Sequence, residues 1–427
     1  MPTYSLVDID MTNALNSPLQ LPCGAILENR LCKAAMSEGM ADANNHSTPR
    51  LETLYRRWAQ SGAGLLLSGN IQVDRWHLER PGNVVVDDDS GSFQLARLAA
   101  AGGAEGGHFW AQLSHTGRQV DSAINASPLA PSSVEIDVLR GAGFSFASPK
   151  AMTEEQIQRA IGQFAFAARQ IHDAGFTGIS LHGAHGYLIS QFLSPLTNLR
   201  TDQWGGSLEN RSRFLFEVLG AVREAVGSSF PLGLKLNSSD FQKGGFTNAE
   251  CIELVRKLNE STLDLLELSG GSLEQPKIVG VSLKDEGEDG RHESTIKREA
   301  YFVEFAGAVR AVAKMPVMVV GGFRSRAAMI ESLERGELDI VGMGRPFIAD
   351  PEIGRRILEG EVDVAPAPEA TLNLFHLLPW NNMQLERLGD GLDPDLSLDG
   401  AVAAEQFREI ETRNVTALLE RRRGMAF

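Results

Sequence analysis

Two histidines and a tyrosine, His182, His185 and Tyr187, are the most densely spaced candidates for chemistry in this chain. Histidines three residues apart can point the same way on a turn or a first helical turn and donate hydrogen bonds to one acceptor. The phenol two residues further on adds a proton donor, so the set could polarise a carbonyl oxygen and protonate the neighbouring carbon. A pair of hydrogen-bonded loop histidines without a catalytic role is the alternative. We expect no metal, because no nearby Cys, Asp or Glu has the spacing of a third ligand.

Glycines in two later segments are typical of an anion site. Gly321 and Gly322 follow one apolar run, and Gly344 and Arg345 follow the next. Glycines let backbone N–H groups approach an anion, and an arginine can supply the paired charge. Each segment alone is more often just a tight turn. Together, after the last two apolar runs, they favour a phosphorylated ligand, because barrels of alternating strands and helices frequently bind phosphate on those two loops.

Three more polar residues lie in or next to apolar runs. Ser37 follows the first run, Gln112 lies in the third and Lys235 lies in the fifth. A buried amide must find a hydrogen-bond partner, so Gln112 could simply be tied to the backbone. Lys235 could extend its ammonium to solvent or pair with Asp240 or Glu267. Converging on one opening, amide, hydroxyl and cation would suit a flat heterocycle with carbonyls and ring nitrogens.

Eight short apolar runs, each followed by a helical pattern, must position these residues. Continuous apolar runs are typical of parallel strands that are buried on both faces. Capping-box patterns at Thr153 and Thr247 mark the starts of two of the helices. The predicted strands are 30–35, 64–68, 108–113, 177–182, 231–236, 265–269, 316–320 and 339–343. The predicted helices are 51–61, 92–101, 153–174, 211–226, 247–258, 300–312, 327–336 and 351–358, with a further helical stretch at 403–423.

Eight strand–helix units predict an α/β fold, a single (β/α)8 TIM barrel over residues 1–365 with long βα loops. Residues 366–427 are expected to form a C-terminal helical extension packed on the barrel. An open doubly wound sheet is the alternative, and the absence of a GxGxxG after the first strand argues against it. Two connections, 118–152 and 270–298, are long. The second is expected to be either a mobile lid or a solvated loop.

Composition excludes several classes of function. The net charge of −15 over 427 residues argues against nucleic-acid binding, which needs a basic surface. Three scattered cysteines make neither a metal cluster nor a disulfide framework, which fits a reducing compartment. The first residues carry no basic, apolar signal region, and no apolar run approaches the length of a membrane span. We therefore expect a cytoplasmic protein that binds a small molecule; a homo-oligomer is left open.

The residues singled out above resemble the Old Yellow Enzyme family of flavin oxidoreductases, over about residues 29–351. The most specific stretch is His182-Gly183-Ala184-His185-Gly186-Tyr187-Leu188-Ile189-Ser190-Gln191-Phe192-Leu193-Ser194-Pro195. The segments 29–37 and 112–118 are similar to the family's first-strand and third-strand motifs. The resemblance implies non-covalent FMN as cofactor and NAD(P)H as electron donor. It also implies an ene-reductase that reduces activated C=C bonds of α,β-unsaturated carbonyl or nitro compounds.

Carried over residue by residue, the resemblance assigns roles to the candidates. Ser37, Gln112 and Lys235 would contact the flavin ring, and the two glycine segments would hold its phosphate. His182 and His185 would bind the substrate oxygen, and Tyr187 would donate the proton.

The chain departs from the family pattern at three of these positions. Ser37 stands where many members have Thr or Cys, Lys235 where many have Arg, and Ser114 where some have Trp. These departures put the flavin potential and the substrate range in doubt, but not the cofactor. The chain also lacks the cysteine-rich cluster site of relatives that reduce dienoyl thioesters. An FMN-barrel dehydrogenase or demethylase that oxidises a small metabolite is the main alternative, and a non-enzymatic barrel that binds a phosphorylated ligand is the third.

Overall fold

Eight parallel strands form a closed ring in the computed structural model, which describes residues 13–137, 145–271 and 305–425. Each strand pairs with its neighbours in the chain, and the last strand pairs with the first. The predicted (β/α)8 barrel is confirmed, and the ring closure rules out the open doubly wound sheet.

The barrel strands β1 to β8 are Leu31–Lys33, Leu65–Gln72, His108–Ser114, Gly178–Gly183, Leu232–Asn237, Leu265–Ser269, Val317–Val320 and Ile340–Met343. Helices α1 to α5 follow the first five strands as Pro49–Ala59, Ser92–Gly102, Glu154–Asp173, Leu208–Val226 and Asn248–Leu258. Described residues 305–310 are helical and form α6. Helices α7 and α8 are Arg326–Glu334 and Ile353–Leu358, and the C-terminal helices α9 and α10 are Leu374–Gly389 and Gly400–Met425. Short helices at Leu188–Leu193 and Pro346–Ala349 follow β4 and β8.

Alternate residues of each strand face the inside and the outside of the ring, which separates two apolar clusters. The larger cluster lies between the strands and the helices. The smaller cluster fills the lower part of the barrel around the fully buried Trp110. A hairpin of strands Leu19–Gln20 and Ile26–Leu27 closes the amino end, because Leu21 and Leu27 belong to the same inner cluster. The apolar filling leaves the carboxyl ends of the strands for the polar inward-facing residues.

Local sequence signals set most helix starts. Both predicted capping boxes are present, with Thr153 and Thr247 each accepting from the backbone three residues on. Helix α4 begins earlier than predicted, because the hydroxyl of Ser207 caps it. Strand β2 continues four residues beyond the predicted end at Ser68. Its polar continuation through Asn70 is typical of a strand end that enters a site rather than of a core strand.

The C-terminal segment contacts the barrel through charged side chains. Arg50 of α1 forms ion pairs with Glu386 of α9 and with Asp390, which follows that helix, and Arg80 after β2 pairs with Glu411 of α10. Helix α9 was not predicted, because it contains Pro379, which ordinarily interrupts a helix. That residues 366–427 are an extension of a barrel formed by residues 1–365, rather than a second domain, remains a prediction. Within the described ranges, no helix combines the length and apolar character needed to cross a bilayer.

The two long connections differ in how much of them is described. The connection 118–152 contains a two-strand pairing of Leu129–Ala130 with Lys150–Ala151, and only residues 138–144 of it are not described. Almost all of the connection 270–298 lies outside the described residues, so its interpretation as lid or solvated loop stays open.

Replacing Gly178 by Ala should destabilise the barrel. A Cβ atom on Gly178 would lie 2.5 Å from the indole nitrogen of Trp110, inside van der Waals contact. Because Trp110 is fully buried, the inner packing would have to shift, which costs about 1–3 kcal/mol of unfolding free energy. Urea unfolding followed by circular dichroism measures the change.

Gly162→Ala is the matched control. Gly162 lies on the exposed face of α3, and a Cβ there would have no atom within 4 Å. Alanine should therefore stabilise that helix by about 0.5–1 kcal/mol. Equal effects of the two substitutions would contradict the inner packing described for Trp110.

Candidate active site at the carboxyl ends of the strands

The register of three neighbouring strands brings polar side chains together inside the barrel. Lys235 on β5 is level with His182 on β4 and with Glu267 on β6. All three are buried, with relative exposures of 3% or less. They lie toward the carboxyl ends of their strands, where barrel enzymes hold their active sites.

His182, His185 and Tyr187 form a compact aromatic group on the turn that leaves β4. The ring of His182 lies edge-on to the rings of His185 and Tyr187, with centroids 4.9 and 4.7 Å away. The candidate set is therefore brought together, as the spacing predicted. Tyr187 is only 9% exposed and precedes the short helix Leu188–Leu193.

An unusual backbone conformation at His185 allows the three rings to pack together. His185 has a φ of 60°, a left-handed conformation that non-glycine residues rarely adopt. Two side chains hold it there: the amide oxygen of Asn237 accepts from the His185 N–H at 3.1 Å, and Gln119 donates to its carbonyl at 2.9 Å. Neither contact can be derived from the sequence, since both partners come from other strand–loop units.

Both histidines are neutral near pH 7. Burial, together with the charge of Lys235, lowers the pKa of His185 to about 3. Burial, the neighbouring His185 and Lys235 together hold the pKa of His182 well below its ordinary value. The backbone N–H of Ala184 donates to Nδ1 of His182 at 3.3 Å, so the proton of the neutral ring is on Nε2. His182 is thus a neutral hydrogen-bond donor, while Nε2 of His185 lies 2.7 Å from the hydroxyl of Ser269.

The ammonium of Lys235 is paired. It lies 2.9 Å from a carboxylate oxygen of Glu267, so of the two partners considered, Glu267 is the one found. Asp240 instead accepts from the backbone of Phe246. Burial raises the pKa of Glu267, and the charge of Lys235 opposes that effect. The pair keeps a positive group inside the barrel opening without leaving it unpaired.

The side-chain amide of Gln112 has a hydrogen-bond partner for its nitrogen but, among the described residues, none for its oxygen. Its amide nitrogen donates to the side-chain oxygen of Asn70 at 2.7 Å, and its backbone N–H donates to Ser68. Its amide oxygen is buried and has no hydrogen-bond partner among the described residues. A buried acceptor of this kind is costly unless something donates to it, so it fits the ring N–H of a heterocycle held in the opening.

Ser37 is hydrogen-bonded to Glu79, a residue that the sequence analysis did not single out. Its hydroxyl donates to Glu79 at 2.7 Å, and the amide of Asn70 donates to the same oxygen at 2.5 Å. Burial, the charge of Glu79 and a hydrogen bond to that carboxylate hold the pKa of Tyr187 well above its ordinary value. The available signal was a carboxylate in the segment after the second apolar run. That segment also holds Asp74, Asp87 and Asp88, so nothing distinguished Glu79.

The first of the two glycine segments has a backbone geometry that suits an anion site. Gly321 and Gly322 have φ values of 116° and 89°, which side chains with a Cβ disfavour. Arg345 is one-third exposed and lies 3.6 Å from Glu369, which also contacts Arg324. Glu369, which lies beyond the predicted barrel boundary, thus forms ion pairs with two arginines, Arg324 after β7 and Arg345 after β8. The sequence had suggested only one of the two arginines.

One connection joins the glycine segments to the rest of the site. A Cβ on Gly344 would lie 3.4 Å from the sulfur of Met36, the residue before Ser37. The glycine loop after β8 therefore adjoins the end of β1. An elongated ligand with a phosphate at one end and a polar ring at the other fits this arrangement of donors and open acceptors.

A second cluster, Asp74, His77 and His115, has metal-like spacing. Backbone N–H groups of Leu129 and Gly117 donate to Nε2 of His77 and Nδ1 of His115, each at 3.0 Å. The nitrogens that face Asp74 must therefore carry the protons of the neutral rings. A metal-bound histidine normally donates from its other nitrogen, which these two rings cannot do. The cluster is better explained as a hydrogen-bonded network around the Asp74 carboxylate.

Comparison with known proteins shows which family the chain matches. The family model described as the NADH:flavin oxidoreductase / NADH oxidase family matches residues 14–363. The chain is 37% identical to the NADH-dependent flavin oxidoreductase nadA of Aspergillus parasiticus, over 88% of this chain and 86% of that protein. It is 33% identical to iliE of Hypocrea jecorina, also named an NADH-dependent flavin oxidoreductase, over 80% and 88%. Other relatives are longer: the chain covers 49% of the NADH oxidase of Thermoanaerobacter brockii.

Solved structures of two other proteins superpose on this chain. A complex of 2-naphthoyl-CoA reductase superposes with a TM-score of 0.76 at 26% identity, covering 88% of this chain and 58% of that chain. Morphinone reductase in complex with tetrahydroNAD superposes with a TM-score of 0.67 at 25% identity, covering 83% and 93%.

The neutral histidines predict how stability depends on pH. Unfolded histidines have an ordinary pKa near 6.5, whereas folded His115 and His185 have pKa values of about 3. Below pH 6.5 the unfolded chain binds more protons, so folding stability is complete above that pH and is lost as the pH falls toward 3. The loss should reach ~1.4 kcal/mol per pH unit for each histidine. Denaturant unfolding between pH 7 and 4 measures it.

His185→Asn supplies the control for that series, because it removes one of the buried titrating groups. Its unfolding free energy should fall less steeply with decreasing pH than that of the unmodified protein. An unchanged slope would mean that His185 is protonated in the folded state.

Proposed function

The chain belongs to the NADH:flavin oxidoreductase / NADH oxidase family, the Old Yellow Enzyme relatives that use FMN and a nicotinamide electron donor, and from this premise we propose that it reduces activated C=C bonds. The substrates would be α,β-unsaturated carbonyl or nitro compounds. The observation that carries the proposal is the packed group of His182, His185 and Tyr187 at the barrel opening. It offers neutral N–H donors and a phenolic proton donor side by side.

The residues present fit FMN without a covalent bond to it. The open amide oxygen of Gln112, the hydroxyl of Ser37 and the ammonium of Lys235 would meet the ring. Gly321, Gly322, Gly344 and Arg345 would hold the phosphate. When bound, FMN would accept hydride from the nicotinamide and pass it to the oxidant. Lys235 would favour negative charge on the ring, although Glu267 offsets part of its charge.

The histidines would act on the substrate oxygen. Nε2 of His182 carries its proton, so it can donate to a carbonyl or nitro oxygen without a change of tautomer. His185 would do so by exchanging its contact with Ser269 for one with the substrate. Such donors stabilise the negative charge that develops on the oxygen when hydride reaches the β-carbon. Because burial keeps both rings neutral, they polarise the oxygen by hydrogen bonding rather than by full charge.

Tyr187 would protonate the α-carbon. Its raised pKa keeps the hydroxyl protonated at neutral pH, which suits a proton donor and disfavours a base. This favours reduction over an oxidation that begins with removal of an α-proton by Tyr187. A relative named N,N-dimethylglycine/sarcosine dehydrogenase, 30% identical over 82% of this chain, keeps amine oxidation as the second candidate. Anaerobic bleaching of the flavin by secondary amines, with no turnover of enones, would support that candidate instead.

His182→Ala should slow the transfer of hydride to an enone much more than it slows reduction by NADH. Losing one donor to a developing oxyanion typically costs ~10²–10³ in rate. Hydride donation by the nicotinamide needs no polarised carbonyl. Stopped-flow absorbance at the flavin band measures the two half-reactions separately, and equal slowing of both would contradict the assignment.

Tyr187→Phe should distinguish two kinds of substrate. The phenylalanine keeps the ring packed on His182 but removes the proton, so turnover of enones should fall by roughly 10²-fold. Nitroalkenes should be affected less, because their nitronate products can leave and take a proton from water. Steady-state turnover of a matched enone and nitroalkene tests this; the same loss with both would show that Tyr187 has only a packing role.

A further inference from the structure

Glu79 connects two residues assigned to the proposed site, Ser37 and Tyr187, with Asn70 of β2. The Ser37 hydroxyl and the Asn70 amide both donate to its Oε2, at 2.7 and 2.5 Å. Glu79 also acts on Tyr187, because its charge and a hydrogen bond to its carboxylate raise the pKa of the buried phenol, while Asn70 has the opposite effect. Through Asn70, which accepts from Gln112 at 2.7 Å, the network reaches the side of the site proposed for the flavin ring.

Burial differs between the two ends of the Tyr187–Glu79 contact. Tyr187 is 9% exposed, whereas Glu79 is partly exposed. Within residues 13–137, 145–271 and 305–425, no lysine, arginine or histidine lies within 4.0 Å of the Glu79 carboxylate. The closest titratable ring to Tyr187, that of His182, is neutral, and the charge of Lys235 is paired with Glu267. Among the described residues, Glu79 is thus a partly exposed side chain with no cation within 4.0 Å of its carboxylate.

The loop that carries Glu79 is firmly held. The guanidinium of the next residue, Arg80, donates to the carbonyls of Ser37 and Glu38 and pairs with Glu411 of α10. It also contacts the side chain of Asn382 on α9. Arg80 therefore turns away from Glu79 and ties the loop both to the end of β1 and to the C-terminal helices. A side chain held in this way keeps its place through many turnovers.

We propose that Glu79 is the proton relay between solvent and Tyr187. The inference rests on the proposed reduction, in which Tyr187 gives up one proton for each C=C bond reduced. The contact with Glu79 and the partial exposure of that carboxylate give the proton a route into an otherwise buried site. Glu79 touches neither substrate nor reacting carbon in this scheme, so it is a positioning and relay residue rather than a catalytic one.

The protons balance as follows in one turnover. Hydride adds to the β-carbon, the O–H bond of Tyr187 breaks and a C–H bond forms at the α-carbon. Phenolate and carboxylate then stand next to each other, and their repulsion raises the proton affinity of both. A proton from bulk solvent binds the carboxylate of Glu79, and Glu79 passes that proton to the oxygen of Tyr187. One solvent proton is consumed, and no further oxidant or reductant is needed.

The variant Glu79→Gln tests the relay in the FMN-loaded enzyme, with Glu79→Asp and Glu105→Gln as controls. Glutamine keeps the size and the hydrogen bonds of the side chain but cannot carry a proton. We expect enone turnover to fall by roughly 10²-fold, as for loss of a proton-transfer group, while nitroalkene turnover is nearly unchanged. Glu79→Asp, which can still carry a proton, should retain most of the activity. Glu105→Gln makes the same change of charge on an exposed turn and should have no effect.

Two further readouts separate a relay from a merely structural role. Millimolar formate or acetate should restore enone turnover of Glu79→Gln in proportion to its concentration, because a small acid can replace the missing carrier. Ultraviolet titration of the phenols, with Tyr187→Phe subtracted, should show a lower pKa for Tyr187 in Glu79→Gln, since the neighbouring negative charge is gone. This titration does not depend on turnover.

The outcomes distinguish the relay from the reaction that it serves. Normal enone turnover in Glu79→Gln would overturn the relay and leave the proposed reduction intact. Slowed turnover without rescue by small acids and with an unshifted Tyr187 titration would overturn it as well, and would give Glu79 a structural role. If the unmodified enzyme reduces no enone at all, the proposed function fails and the relay fails with it.

Discussion

The polar side chains inside the barrel have to satisfy one another, because a closed ring of eight strands leaves them little water. Lys235 and Glu267 lie level on adjacent strands and form a buried ion pair. Removing one partner of such a pair leaves an uncompensated charge and typically costs 3–5 kcal/mol. The pair therefore couples the stability of the barrel to the electrostatics of its opening. Together with burial, which is the larger cause, its positive end keeps the nearby histidines from becoming protonated.

Neutral histidines determine what the opening can do chemically. Imidazolium groups would bind anions, whereas neutral rings with one N–H each are suited to a carbonyl or nitro oxygen that gains charge only during reaction. Tyr187 complements them, because burial and the charge of Glu79 keep its hydroxyl protonated. The same burial that excludes water thus prepares both the donors for the oxygen and the acid for the carbon. The site is specialised for a reaction in which negative charge appears and is then quenched by a proton.

The C-terminal segment takes part in this arrangement through two contacts. Glu369 gathers Arg324 and Arg345 beside the glycine loops after β7 and β8. Helix α10 holds Arg80, and with it the loop that carries Glu79. Residues near the end of the chain thus support both the proposed phosphate site and the proposed proton route. An extension of this kind changes the properties of a barrel site without changing the strands that form it.

The sequence by itself determined the barrel and most of the proposed site. Continuous apolar runs separated by capped helices are sufficient for a parallel ring, since local hydrophobicity and capping act over a few residues. The spacing of His182, His185 and Tyr187 placed them on one turn, and the structure brings them into contact. The glycine loops were likewise visible as a local pattern.

Only the tertiary structure decided which distant residues complete that pattern. The choice of Glu267 over Asp240 as partner of Lys235 follows from strand register, and the left-handed backbone of His185 follows from contacts with Asn237 and Gln119. Helix α9 formed despite Pro379, because tertiary packing outweighs local propensity. Glu79 could not be distinguished from its acidic neighbours, since its significance depends on Ser37, Asn70 and Tyr187 converging from three other parts of the chain. Contacts between residues far apart in sequence leave no local signal. This is why the ring of strands could be predicted and the side-chain contacts inside it could not.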